Sequence, residues 1–430
     1  MHLLDRLRLF LVGLVVLSVS LPMAWVSLGK LILFVTCLVY LISQLVQQRH
    51  DVALAKLWTV RWILLIVATF ALSLSWSDAP QAIAVLAFAK HSKLIEVVLL
   101  VCLLRTPRET LLALATYLGG QAFLLLSSWL MVVGWRVPWA TSALAPQYQN
   151  VVFSTYLDQT LMSCAAAAVF WHLRSFWPQA HWIKALFVIF SIASVVNVLF
   201  FQEGKTGYVA ALTVVTLAVM WQIPRRWRVL TLVVLPLSLG LLAWWGSMKI
   251  QERVAQITND SQNYSVHGDS LSSSGFRLHA WRRSLQAMAE QPLVGYGVGS
   301  WTQTVKRIEG PQAERIFGDG MTSNPHQEYL LWGVELGVGG TLLLLGLMAC
   351  LVRDAWQFAQ PVKQATYGVT AVLAVACLFN SSLYDALIGD FFVVTLGLLL
   401  ALGLRNGPTR LPVETGASIQ ACAWPLSSRP

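Results

Sequence analysis

Three side chains in this sequence are of types that could hold an anion and act on it: Arg277, His326 and Lys205. Arg277 lies in Gly275-Phe-Arg-Leu-His-Ala-Trp281, His326 in Asn324-Pro-His-Gln-Glu-Tyr329, and Lys205 in Glu203-Gly-Lys-Thr-Gly-Tyr208. A guanidinium grips a phosphate through a bidentate fork, and an ammonium binds it as a point charge. An imidazole can accept a proton or hydrogen-bond a substrate oxygen near neutral pH. Each residue also has a plainer reading. Arg277 could pair with a loop carboxylate, Lys205 could pair with Glu203 or snorkel, and His326 could cap a helix.

The elements around them set how these groups point. A helix is expected from about Phe276 to Glu290, with Ser272–Ser274 as N-cap candidates and Pro292 beyond its end. Helical spacing puts Arg277, Trp281, Ser284, Leu285 and Met288 on one face, and His279, Arg282, Arg283 and Gln286 on the other. Arg277 then sits on the apolar face, where it needs an anion or several acceptors. Pro325 suits the first turn of a span opening at His326. His326, Tyr329, Gly333, Gly337 and Gly340 share a face of that span, and Gly333/Gly337 form a G-x-x-x-G pair permitting close helix approach. A further stretch, Lys90-His91-Ser-Lys93-Leu-Ile-Glu96, puts charge inside an apolar run, which must face the bundle interior or a wet cavity. Lys90, His91 and Lys93 are cavity-lining candidates, with a Lys93–Glu96 pair as the alternative; Asp158 and Asn197 could face the same interior. Gly295-Tyr-Gly-Val-Gly299 reads as a flexible turn, because a dinucleotide fingerprint needs a strand before it and a helix after.

Composition says what kind of scaffold this is. Hydrophobic residues make up 57% of the 430 and charged residues 12%, with a mean hydropathy of +0.64, where a soluble domain carries about 25% charge. The fold class expected is all-α, a polytopic membrane helical bundle of about 12 transmembrane helices. Apolar runs fall near 8–27, 29–47, 58–75, 81–104, 110–133, 152–173, 182–201, 206–222, 229–246, 326–352, 363–383 and 386–404. Residues 1–246 thus hold the first nine spans, 247–325 one large loop with amphipathic helix, 326–404 the last three spans, and 405–430 a short Pro/Ser-rich tail on the inner side, expected to be disordered. With the N-terminus inside, the inner segments hold 17 Lys and Arg, and the short outer loops only Lys30, Arg136 and Lys205. That bias places the large loop outside.

The net charge of +10 mostly reflects this bias, with anionic lipid headgroups as counter-charge; nucleic acid is not implied, since the basic residues are scattered. The N-terminal run lacks a small-x-small cleavage site and is expected to be a retained helix. Of six cysteines (Cys37, Cys102, Cys164, Cys350, Cys377, Cys422), none lies in the large loop, so no disulfide framework is implied. There is no H-E-x-x-H, no G-x-x-x-x-G-K-[ST] and no D-x-D in the outside loop, which leaves a zinc hydrolase, an NTPase and a divalent-metal sugar-phosphate site unsupported.

Phe276-Arg277-x-x-x-Trp281, Gln291-Pro-Leu-Val-Gly-Tyr-Gly-Val-Gly299, Asn324-Pro-His326-Gln-Glu-Tyr329 and Glu335-Leu-Gly-Val-Gly-Gly340 together resemble the O-antigen ligase/polymerase superfamily. The resemblance implies a Gram-negative inner-membrane glycosyltransferase with a periplasmic active site. Its ligase branch moves O-antigen from undecaprenyl pyrophosphate to a sugar hydroxyl of lipid A–core oligosaccharide, inverting, with no cofactor, metal or ATP. Carried over, Arg277 and His326 are the catalytic pair, and Arg277 with Lys205 binds the pyrophosphate. Lys205 stands where the family often has arginine, so a point charge replaces the fork. Arg136 is a further phosphate candidate, and Trp281, Tyr296, Trp301 and Tyr329 are candidates for stacking on sugar. Alternatives within the superfamily are an O-antigen polymerase and a protein O-oligosaccharyltransferase. From another class, a lipid-linked glycan or anion transporter would need inverted repeats and mid-membrane charges. Oligomeric state is not readable from these residues.

Overall fold

The computed structural model describes residues 3–46, 56–140, 150–176, 180–246, 248–267, 272–313 and 323–406, and no strand occurs among them. The expected tail beyond Asn406, with Cys422, lies outside the described residues. The helices are α1 (Leu3–Ser18), α2 (Met23–Val46), α3 (Trp58–Ser73), α4 (Gln81–Ser92), α5 (Ile95–Leu103), α6 (Pro107–Val132), α7 (Tyr156–Leu173) and α8 (His181–Val196). There follow α9 (Lys205–Met220), α10 (Arg228–Gly246), α11 (Met248–His267), α12 (Ser273–Glu290), α13 (Trp301–Glu309), α14 (Glu328–Trp356), α15 (Gln360–Phe379) and α16 (Ala386–Asn406). The protein is an all-α polytopic membrane protein.

Among the described residues, eight helices are long and apolar enough to cross a bilayer. Four of the twelve expected spans differ. α1 is 16 residues, α9 is apolar but also 16, and α7 carries Asp158, Gln159 and His172 in its 18. The run at 81–104 is two helices, because Lys93 and Leu94 form a tighter turn in which Glu96 N–H reaches the Lys93 carbonyl at 2.9 Å. Lys30, expected in an outer loop, lies within α2.

Burial sorts the helices. From Leu387 to Gly403 α16 is buried on every side, enclosed by α5, α6, α7 and α15; a helix apolar all round belongs inside. By contrast α10 exposes Val229, Leu237, Leu241 and Trp245, as a lipid-facing helix does. Small residues let α7 and α15 touch: a Cβ on Gly368 would stand 2.9 Å from that of Ala168.

Among the described residues of the 247–325 segment lie α11, α12 and α13, and α12 and α13 pack on α14. Ser272 Oγ caps α12 by accepting the Gly275 N–H at 3.1 Å. After α12 the chain docks on α14 through Tyr296 N–H to Val334 O (3.0 Å), Gly297 N–H to Glu335 O (2.8 Å) and Val338 N–H to Pro292 O (2.8 Å). Gly337 kinks α14 there at φ +66°, and a Cβ on it would lie 2.5 Å from the Pro292 oxygen. Gly333 faces Met288 of α12. The glycine pair therefore admits the loop segment rather than another membrane helix, a correction to the G-x-x-x-G expectation. The polar face expected for α12 is also not all solvated: His279 is buried and bonds Glu309 of α13 (2.6 Å) and Tyr264 of α11 (3.3 Å).

Candidate functional site

Lys205 opens α9. Gly204 and Gly207 press that helix start onto Thr160 of α7, where added Cβ atoms would lie 2.6 and 2.5 Å from Thr160 atoms. No side chain caps the helix, so its first N–H groups add positive potential beside the ammonium.

Arg277, in the first turns of α12, is half-buried and makes no hydrogen bond or ion pair among the described residues. Burial pulls its pKa below the ordinary arginine value, and Tyr156 opposes the shift. The group stays charged at any working pH, so a cation is held partly out of water with no ion-pair partner among the described residues.

Arg277 and Lys205 line one hollow of about 260 Å³, together with Trp281, Ser261, Ser274 and Phe379. The Trp281 indole N–H is buried and has no hydrogen-bond partner among the described residues. Two cations, a helix N-terminus and an unspent donor are together groups that could hold an oxyanion, in a hollow of about 260 Å³. A larger hollow of about 450 Å³ between α1 and α6 is lined almost wholly by carbon and holds one cation, Arg6.

His326 stands at the edge of this hollow rather than in its lining. It precedes α14, which starts at Glu328 and not at His326 as expected, and has the left-handed φ of +53°. Its N–H donates to Asn324 Oδ1 at 2.9 Å, which closes the turn. The ring meets Phe276, the neighbour of Arg277, edge-on at 5.9 Å. Its Nδ1 is 3.2 Å from Oδ1 of Asn380, the neighbour of Phe379, and Asn380 Nδ2 donates to Asp385 Oδ2 at 3.1 Å. Burial holds the imidazole below its ordinary pKa; Asn380 and Asp385 oppose this and Arg277 adds to it. His326 is therefore neutral at neutral pH, with a lone pair to offer.

The other candidates lie elsewhere. Arg136 is exposed and outside the hollow's lining. Trp301 is fully buried, its indole N–H on Ser284 Oγ at 2.9 Å. Tyr296 is buried, with its hydroxyl on Glu290 at 3.0 Å and its ring under Arg307. Tyr329 donates to the Ala374 carbonyl at 3.3 Å. Lys90 sits 4.2 Å from the centre of the Tyr384 ring, and His91 bonds Glu335 at 2.8 Å while stacked on Phe70. Lys93 contacts Asp390 at 3.7 Å and the Asp385 carbonyl at 2.6 Å, instead of the expected Glu96. Asn197 joins a buried network with Ser128 and Gln202.

Asn380 and Asp385 were not singled out in the sequence. The signal available was the polar run Asn380-Ser-Ser-Leu-Tyr-Asp385 joining the last two apolar spans on the side of the large loop.

Known proteins supply two comparisons. A solved structure described as "Structural coordination of polymerization and crosslinking by a peptidoglycan synthase complex" aligns over 82% of this chain and 98% of its own at 19% identity, with a TM-score of 0.45, too low to bear on fold or function. No curated protein matches. Residues 190–345 match the family model described as O-antigen ligase, a stretch that holds Lys205, Arg277 and His326. That match, over about a third of the chain, supports membership of the O-antigen ligase/polymerase superfamily.

Proposed function

We propose that this protein is an O-antigen ligase of the Gram-negative inner membrane. It transfers O-antigen from undecaprenyl pyrophosphate to a sugar hydroxyl of lipid A–core oligosaccharide, at the periplasmic face. The observation that carries this reading is the hollow in which Arg277, without an ion-pair partner among the described residues, and Lys205 converge. A lipid diphosphate fits it chemically: the headgroup brings the missing anion and its chain remains among apolar helices.

The transfer is a single displacement. The acceptor oxygen forms a bond to the anomeric carbon as the bond from that carbon to the pyrophosphate oxygen breaks, inverting the centre. Charge grows on the departing diphosphate, where Arg277 and Lys205 stabilise it. Neutral His326 takes the hydroxyl proton as attack proceeds, since a sugar hydroxyl is too weak an acid to ionise first. Arg136 and the aromatic candidates Tyr296, Trp301 and Tyr329 have no part in this reading. Trp281 offers its indole N–H to a donor oxygen.

The test is reconstitution of the purified protein with a lipid-linked glycan and, separately, lipid A–core or a second lipid-linked glycan. Elongated lipid A–core is expected. Elongation of the second lipid-linked glycan alone would make the protein a polymerase, and movement of the donor across the bilayer without transfer would make it a transporter.

A further inference from the structure

Against His326 stand two polar residues that the proposed mechanism leaves unused, Asn380 and, beyond it, Asp385. We propose that Asn380 is a positioning residue which, oriented by Asp385, holds His326 as the Nδ1–H tautomer and leaves Nε2 as the proton acceptor. The inference rests on the reading of His326 given above and deepens it.

The contacts determine the proton's place. Asp385 Oδ2 lies 3.1 Å from Asn380 Nδ2. An aspartate carboxylate can only accept, so the amide turns its NH₂ toward Asp385 and its carbonyl toward His326. Asn380 Oδ1, also an acceptor only, lies 3.2 Å from His326 Nδ1. The hydrogen of that bond must come from Nδ1, and a neutral imidazole protonated there has a bare Nε2. The amide does not titrate, so no proton passes through it; Asn380 orients and does not relay.

The scaffold is built to hold this arrangement. Asn380 leaves the end of α15 in an extended conformation, with its N–H still on the Ala376 carbonyl at 2.8 Å. The turn that follows is pinned by a buried carboxylate: Glu328 Oε2 accepts the N–H groups of Leu383 and Tyr384 at 2.9 and 3.2 Å. Glu328 is the first residue of α14, two residues past His326. Both ends of the His326–Asn380 bond are thus tied to the same point. A left-handed histidine is strained and persists only where its surroundings over-determine it.

The charged groups facing His326 are Arg277 from α12 and Asp385 from the turn before α16, and Lys90 and Lys93 bear on Asp385 from behind. Burial lifts the Asp385 carboxyl above the ordinary aspartate range, and His326, Lys93, Lys90 and the Asn380 bond oppose that.

Two measurements on the full-length protein test the proposal. In ¹⁵N spectra of histidine-labelled wild type, with the His326 signals assigned by their loss in His326→Ala, the Nδ1–H tautomer is expected; Nε2–H would overturn the proposal. The second is transfer rate against pH. Asn380→Ala should lower kcat by up to the about 10²–10⁴-fold that general-base assistance contributes. Asn380→Asp keeps an acceptor oxygen and adds charge that favours imidazolium. It should recover part of that loss and move the acid limb of the profile to higher pH. A wild-type profile in Asn380→Asp, in a sample where His326→Ala is inactive, would overturn the positioning role and leave the ligase reading intact. Transfer surviving in His326→Ala would instead remove the reading on which the inference stands.

Discussion

Arg277 and Lys205 differ in what they can give a diphosphate, and that difference can be measured. The guanidinium presents a planar fork whose two N–H bonds keep their geometry as charge grows on the leaving group. Arg277→Ala should cost about 10²–10³ in kcat, as loss of one well-placed donor to a developing charge does. Because Arg277 has no protein partner to orphan among the described residues, its removal should leave the thermal unfolding midpoint of the detergent-solubilised protein unchanged. A large fall in that midpoint with little change in kcat would reassign Arg277 to the scaffold. In the proposed mechanism Lys205, which opens α9, acts as a point charge on the diphosphate, so Lys205→Arg should keep more transfer than Lys205→Ala. Equal loss in both would mean that this site needs the shape of lysine and not only its charge. A pH prediction belongs here too. In the proposed mechanism the neutral imidazole of His326 is the working form, and burial places its titration below the ordinary histidine range. Transfer should therefore be flat through neutral pH and fall only as the solution becomes acidic enough to protonate it, a profile read from initial rates.

At the scale of elements, the sequence disclosed the two things that period and punctuation encode. The helix around Arg277 was legible from Ser272–Ser274 and Pro292, and α12 runs from Ser273 to Glu290. Most apolar runs became helices within a few residues of their expected ends. What periodicity could not show was where a helix is broken by something packed against it. The start of α14 was expected at His326, yet Asn324 Oδ1 takes the His326 N–H and starts a turn instead. The G-x-x-x-G stripe looked like a helix seam, but Gly337 adopts φ +66° so that the Pro292 carbonyl can reach the Val338 N–H. Such a contact joins residues 46 positions apart and leaves no periodic trace. The same applies to Asn380, which an apolar count simply absorbed into the span 363–383. The kink is testable. Gly337→Ala forces a Cβ into a left-handed position and against the Pro292 oxygen. It should destabilise the protein by about 1–3 kcal/mol from backbone strain alone, and should free the 291–300 turn to proteolysis before the membrane helices unfold. Protection equal to wild type would show that the turn is held by its other bonds.

Across the whole molecule, the charges buried among the helices hold the site's platform together without joining it. Lys30 of α2 lies 2.7 Å from Asp390 of α16, and Lys93, from the α4–α5 break, lies 3.7 Å from the same carboxylate. Lys93 also donates to the Asp385 carbonyl at 2.6 Å, in the turn that carries Asn380. One carboxylate on the most buried helix thus ties the N-terminal helices to the segment behind His326. Removing one member of a buried ion group leaves the others uncompensated, at about 3–5 kcal/mol. Asp390→Asn would leave two ammonium groups facing each other; Lys30 is about a third exposed and can turn toward water, so the loss should fall near the lower end of that range. It would appear as a lowered unfolding midpoint, with transfer falling only as far as the folded fraction falls. Adding Lys93→Met removes one of the stranded charges, and the double variant should regain part of the lost stability. It should also loosen the 380–385 turn, because the bond to the Asp385 carbonyl goes with the lysine. Stability that recovers while transfer drops would separate the two duties of Lys93: balancing Asp390 and bracing the turn. If the double variant is no more stable than Asp390→Asn, the network contributes through packing and not through charge.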